Sequence, residues 1–159
     1  MLHLYPSADT LPENLLRFYI HFSKPMKAVN NLENIKLLNE DGLEIRGAIF
    51  NNVYELWDVE QKQLTLILDP ARVKTGLIVH ETMGRVLKIG KRFQLVIETA
   101  EDIYGQPMER TFVKEFFVSE PDRIMPDIQN WQIIEPDAGS KSSLQLVFSH
   151  ALDLSLIHI

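Results

Sequence analysis

Over residues 16–26 the apolar positions alternate strictly: Leu16, Phe18, Ile20 and Phe22 point one way, and Arg17, Tyr19, His21 and Ser23 the other. A period of two is the geometry of a half-buried strand, because successive side chains leave opposite faces of the sheet. Burying four such side chains is worth about 6–12 kcal/mol, an upper bound because unfolded chains are already partly collapsed. Pro25 has no N–H to give a ladder, so pairing is expected to end near Ser23. The stretch predicts a core strand with Tyr19 and His21 exposed on its outer face.

Other segments repeat the pattern. Turn-rich residues 6–14 lead into the first core strand, and polar residues 27–34 follow it as a loop or a single helical turn. Apolar runs at 35–38 and 43–49 flank Asn39-Glu40-Asp41-Gly42, and Asp-Gly between two such runs is a strong hairpin signal. Residues 54–58 are followed by Leu64, Leu66 and Leu68, which alternate inward with Thr65 and Ile67 outward until Asp69-Pro70 stops them. Residues 72–83 show no clean period and contain Gly76, so they are expected to form a long connection without a helix. A second anchor strand covers residues 93–98 after a turn at Gly90, residues 102–107 are turn chemistry, and residues 111–118 close the unit. Short strands at this spacing predict an all-β sandwich or barrel.

Residues 120–127 hold two prolines and three acidic groups, the composition of a linker. Beyond them Trp131-Gln132-Ile133-Ile134 opens a new strand, and residues 144–152 match the first core strand when Phe148-Ser149 is aligned with Phe22-Ser23. The offset has the length of a whole domain, which argues for tandem domains. The tail, residues 154–159, resembles the translation of a sequencing adapter, the alternative being a genuine apolar strand.

Composition narrows the function classes. In 159 residues the net charge is −6, which argues against broad contact with a nucleic-acid backbone. No basic run or long apolar run is present, so neither a membrane-surface role nor membrane insertion has support. Cysteine is absent, excluding disulfides, thiolate metal sites and a cysteine nucleophile in this chain. Residues 1–6 do not read as a signal peptide, so the chain is expected to be cytoplasmic or to be an internal piece of a longer protein.

Phe22-Ser23-Lys24-Pro25-Met26 resembles the FSxPM strand end of bacterial Ig-like domains of the S-layer-protein type. Leu64-Thr65-Leu66, then residues 87–97, are similar to that family's LTL and L-x-x-G-x-x-Y-x-L-x-I pattern; Asp102-Ile103-Tyr104-Gly105-Gln106-Pro107-Met108 is similar to its D-x-x-G-N-P-L turn. Phe116-Phe117-Val118 matches the closing strand. Departures are Phe93 in place of the usual Tyr, Gln106 in place of Asn, and a long insertion over residues 69–88. The resemblance implies an Ig-like antiparallel β-sandwich over residues 1–119, a Pro-containing linker at 120–130, and the first strands of a second, incomplete Ig-like domain at 131–153. It further implies an extracytoplasmic, non-catalytic spacer of a bacterial envelope or secreted protein, whose partners are neighbouring domains of the same chain. It carries no catalytic residues.

Candidate chemistry is sparse. His80-Glu81 lacks the second His of a zinc motif, because position 84 is Gly84. His3, His21, His150 and His158 have no partners at metal spacing. Glu55 and Asp58 flank Trp57, which suggests a sugar-stacking aromatic with carboxylate acceptors; the plainer reading is a Trp of the sandwich core or edge. Glu101 and Asp102 beside a Gly-containing turn suggest a calcium ligand, against the plainer reading that Asp102 caps its own turn. Ser23, Ser119, Ser149 and Ser155 lack a nucleophile-elbow context. No catalytic, cofactor-binding or metal-ligating residue is assigned, no cofactor is expected, and the alternative to the spacer is a carbohydrate- or calcium-binding accessory module.

Overall fold

The alternating stretch is the middle of a sheet. The computed structural model describes residues 3–29, 31–51, 55–73, 84–124 and 127–148, and contacts divide the chain into two units, Met1–Asp122 and Arg123–Ile159. The first unit contains β1 (His3–Tyr5), β2 (Thr10–Pro12), β3 (Arg17–His21), β4 (Ile35–Leu38), β5 (Leu56–Trp57), β6 (Gln63–Ile67), β7 (Arg92–Ile97) and β8 (Phe112–Ser119). One sheet has the order β1-β3-β6-β5 and the other β2-β8-β7-β4. The fold is all-β. Lettered A, A′, B, C, D, E, F and G, the strands give an ABED sheet and a sheet containing CFG, the connectivity of an Ig-like sandwich. The leading segment is split between the sheets, changing from one to the other after the cis Tyr5–Pro6 bond.

Between the sheets lie Phe18, Ile20, Leu64, Leu66, Leu95, Ile97, Phe116 and Val118, all nearly inaccessible to solvent. Phe116 bridges the layers: its ring centroid is 5.7 Å from that of Phe18 and 5.9 Å from that of Phe93. With no cysteine in the chain, this aromatic trio fills the centre of the sandwich.

The pairings define two poles. His3 faces His21 and His21 faces Gln63, so the start of β1, the end of β3 and the start of β6 share one pole. Met26 donates its N–H to Gln61 O at 2.8 Å and bridges Asp102, which brings the loops after β3, β5 and β7 to that same pole. β8 runs parallel to β2 and ends at Ser119, at the opposite pole. The chain therefore comes into this unit at one pole and leaves it at the other.

Five expectations are corrected. Residues 10–12, read as part of a turn-rich lead-in, form β2, because they pair along β8 at the edge of the second sheet. Tyr19 is on the outer face but only 6% exposed, because β3 is a central strand and Tyr5 and Thr65 stand directly across from it on either side. His21 is likewise half-buried, its ring edge-on to Tyr5 at 5.4 Å and 87°. The Asp41-Gly42 turn forms, with Gly42 at φ 75° and its N–H donating to Asn39 O, but the second arm does not continue as a strand. Glu44 bridges Leu38, Gly47 at φ 64° redirects the backbone, and Ile49 then bridges Leu68 in the other sheet. Finally, the expected connection without a helix starts with one helical turn, α1 (Pro70–Val73), where Asp69 accepts the N–H of Ala71 on its side chain and those of Arg72 and Val73 on its carbonyl. Gly76, His80 and Glu81 lie outside the described residues.

Residues 120–124 have no regular structure. In the second unit a 3-10 turn (Ile128–Asn130) precedes β9 (Gln132–Ile134), which pairs antiparallel with β10 (Gln145–Val147), Ile133 opposite Leu146. Trp131 and Phe148 meet edge-to-face at 4.7 Å. The residues from 149 onward, including His150, His158, Ser149, Ser155 and the suspect tail, lie outside the described residues. Among the described residues no helix is long and apolar enough to cross a membrane.

Candidate functional site

The Glu55–Trp57–Asp58 cluster forms where β5 is only two residues long. Pairing of Trp57 with Leu64 turns the indole inward, against Phe22 at 5.5 Å and 36°. Glu55 then has a structural task. Its Oε2 accepts the Trp57 indole N–H at 2.8 Å and the Asn31 side-chain amide at 2.9 Å, while Oε1 accepts the backbone N–H groups of Asn31 and, at 3.1 Å, Leu32. Asn31 is 4% exposed, and its amide also reaches Lys27 O. A carboxylate saturated by such charge-assisted bonds fastens β5 to the loop that leads into β4. Neither oxygen is left to greet a sugar hydroxyl. Asp58 caps the next turn, its Oδ1 accepting the N–H groups of Lys62 at 2.7 Å and Gln63 at 3.0 Å.

Asp102 does the same at the β7–β8 loop. Its Oδ1 accepts the N–H groups of Tyr104 and Gln106, each at 2.9 Å, and its own N–H donates to Gln106 O. Gly105, at φ 78°, completes the turn. The side chain is buried, and the nearest cation is Lys24 Nζ, 3.9 Å from Oδ2. Glu101 points to exposed Lys27 instead, at 3.5 Å. The two acidic neighbours thus serve separate partners. Tyr104 is 82% exposed at the tip of this loop.

His3 stands exposed opposite His21, whose Nε2 is enclosed without a hydrogen-bond partner. Among the described residues no three His, Cys, Asp or Glu side chains converge on a metal-sized site. Ser119 Oγ lies 3.4 Å from Leu11 O, a strand-to-strand contact. The groove beside β4 is lined by Ile35, Leu37, Ile45 and Ala48 together with Glu33, Lys36, Glu44 and Asn51.

Two buried charges escaped the sequence. Arg72 is 5% exposed, donating from Nε to Gly84 O at 3.0 Å and from Nη1 to Arg46 O at 2.9 Å. Glu13 is paired with Arg85 across the unit. Neither has a local signal, because both partners are distant along the chain. On the surface, hydrogen bonds donated to Glu98, Glu60 and Glu40 hold Lys36, Lys62 and Lys91 above the ordinary lysine range. Burial lowers Lys114, with Asp9 opposing the shift.

What this arrangement can do chemically is anchor loops. The carboxylates of Glu55 and Asp102 are engaged by backbone, side-chain amide and indole N–H groups. A scan against protein-family models finds no match for this chain, and a search of curated proteins finds none.

Proposed function

We propose that the chain is a non-catalytic Ig-like spacer of a multidomain bacterial envelope or secreted protein, with neighbouring domains of the same chain as its partners. The observation that carries this reading is the arrival and departure of the chain at opposite poles of the first unit, so that one sandwich adds its own length between its neighbours. The envelope setting rests on the resemblance at residues 22–26, 64–66, 87–97 and 102–108.

The second unit reads as the opening of another such sandwich. The β9–β10 pair has the antiparallel arrangement of β1 with β3, and Leu146 faces Ile133 as Ile20 faces Leu4. Leu4 and Ile20 are buried in the first unit, whereas Ile133 and Leu146 are 63% and 43% exposed. The difference is the cover that the remaining strands of a sandwich supply.

The test is made on residues 1–122 in place of 1–119, since Asp122 exchanges two hydrogen bonds with Asn14. Residues 1–122 expressed alone are expected to melt in one cooperative step with a β-type circular dichroism spectrum, calorimetric and van't Hoff enthalpies agreeing. Tryptophan fluorescence is expected to ignore added glycans. A non-cooperative melt, or saturable quenching by a glycan, overturns the spacer reading.

A further inference from the structure

Two imidazoles meet on the outer face of the first unit. His3 on β1 and His21 on β3 are direct partners across the antiparallel ladder, while Leu4 and Ile20, the next pair, point into the core. Side chains directly opposite one another leave the same face, with Cβ atoms about 4.5–5.5 Å apart. Gln63 on β6 stands across from His21 on its other side, and Asp58, whose N–H donates to Gln63 O at 3.0 Å, ends the row. Among the described residues neither imidazole has a hydrogen-bond partner. The Nε2 of His21 is enclosed, so Nδ1 is the nitrogen that this ring can offer. Tyr5 flanks both rings, its centroid 6.3 Å from that of His3 and 5.4 Å from that of His21, and narrows the rotamers open to them. His3 is exposed, which keeps the pair within reach of solutes.

We propose that His3 and His21 form a two-imidazole site for a late first-row divalent cation: zinc, nickel(II) or copper(II). Imidazole nitrogen suits these ions, whereas calcium and magnesium take oxygen ligands. Two protein ligands leave the rest of the coordination shell to water, unlike the closed four-ligand shell of a structural zinc centre. The row itself holds a carboxylate and no lysine or arginine, so its charge does not oppose a cation. The two ligands come from different strands. A bound ion therefore fastens β1, held by three register pairs, to the central strand β3, and stabilises the folded unit by mass action. The site is independent of the spacer reading.

The chain has five histidines, and replacing His80, His150 and His158 together by Ala leaves His3 and His21 as its only imidazoles. Calorimetric titration of that full-length variant with zinc chloride, in a buffer that does not bind zinc, is expected to show one saturable site. Its Tm is expected to rise with zinc. Electron paramagnetic resonance with one equivalent of copper(II) is expected to show two nitrogen ligands from the protein. Adding His3→Gln, a change at an exposed position, is expected to weaken zinc binding by about tenfold or more, the scale on which even outer-sphere changes act. It should also leave a single nitrogen in the copper spectrum. No saturable binding, or an affinity and a copper spectrum unchanged by His3→Gln, refutes the site. The spacer reading survives that result, since it is judged by the cooperative melt of residues 1–122 and by their indifference to glycans.

Discussion

The indole N–H of Trp57 donates to Glu55 Oε2 at 2.8 Å, and that one bond converts an apparent sugar platform into a loop anchor. Hydrogen bonds to charged groups contribute about 1.5–3 kcal/mol each, with strong non-additivity. Glu55→Ala strands the donors of Asn31, Leu32 and Trp57 and is expected to cost about 2–4 kcal/mol. The urea midpoint should fall with an unchanged m-value. A loss below about 0.5 kcal/mol would mean that solvent already satisfies these groups.

Phe116 is the hinge of the aromatic trio, in contact with Phe18 in the opposite sheet and Phe93 in its own. Phe116→Ala is expected to cost about 3–5 kcal/mol, since close-packed neighbours from two sheets cannot collapse into the space. Phe117→Ala, one residue on but pointing outward and 36% exposed, should cost far less. Chemical denaturation of the pair checks the alternation in β8.

Gly105 sits at φ 78° with open space where a Cβ would be. Gly105→Ala therefore measures backbone conformation alone, at about 1–2 kcal/mol. A thermal melt that shows no loss would mean that the turn re-forms with a different backbone.

Asp102→Ala leaves the N–H groups of Tyr104 and Gln106 without their carboxylate acceptor and is expected to cost about 1–3 kcal/mol. Because that carboxylate is already occupied by the turn, millimolar calcium should not raise Tm of the unsubstituted protein. A calcium-dependent rise that disappears in Asp102→Ala would restore the ligand-binding alternative.

An isolated two-stranded hairpin is marginal in water. Amides of β9 and β10 are therefore expected to exchange quickly with deuterium, while those of β3 and β7 are protected by a buried core. Slow exchange at Ile133 and Leu146 would show that the hairpin is self-sufficient and would count against its reading as the opening of a larger sandwich.

Much of the architecture was legible because strand alternation is local information. Phe18, Leu64, Leu66, Phe93 and Leu95 announce their buried face by spacing alone, and the Asp41-Gly42 and Gly105 turns announce themselves by a conformational demand that glycine meets. The plainer reading of Asp102 as a turn cap was also accessible, since its partners lie two and four residues away. Glu55 was not, because two of its four bonds are to Asn31, far back along the chain. Tyr19 was misjudged for a related reason: spacing tells which face a side chain leaves from, and lateral cover comes from neighbouring strands.

Residue order by itself determined the all-β class, the approximate places of β3, β4, β6, β7 and β8 and their inward faces, because a period of two and turn chemistry act over a few residues. Tertiary structure alone decided which strands lie together, the crossing of residues 43–49 between sheets, the burial of Arg72 and Glu13, and the parallel β2–β8 seam. Each of these depends on groups far apart along the chain, whose meeting is set by packing two sheets around one core.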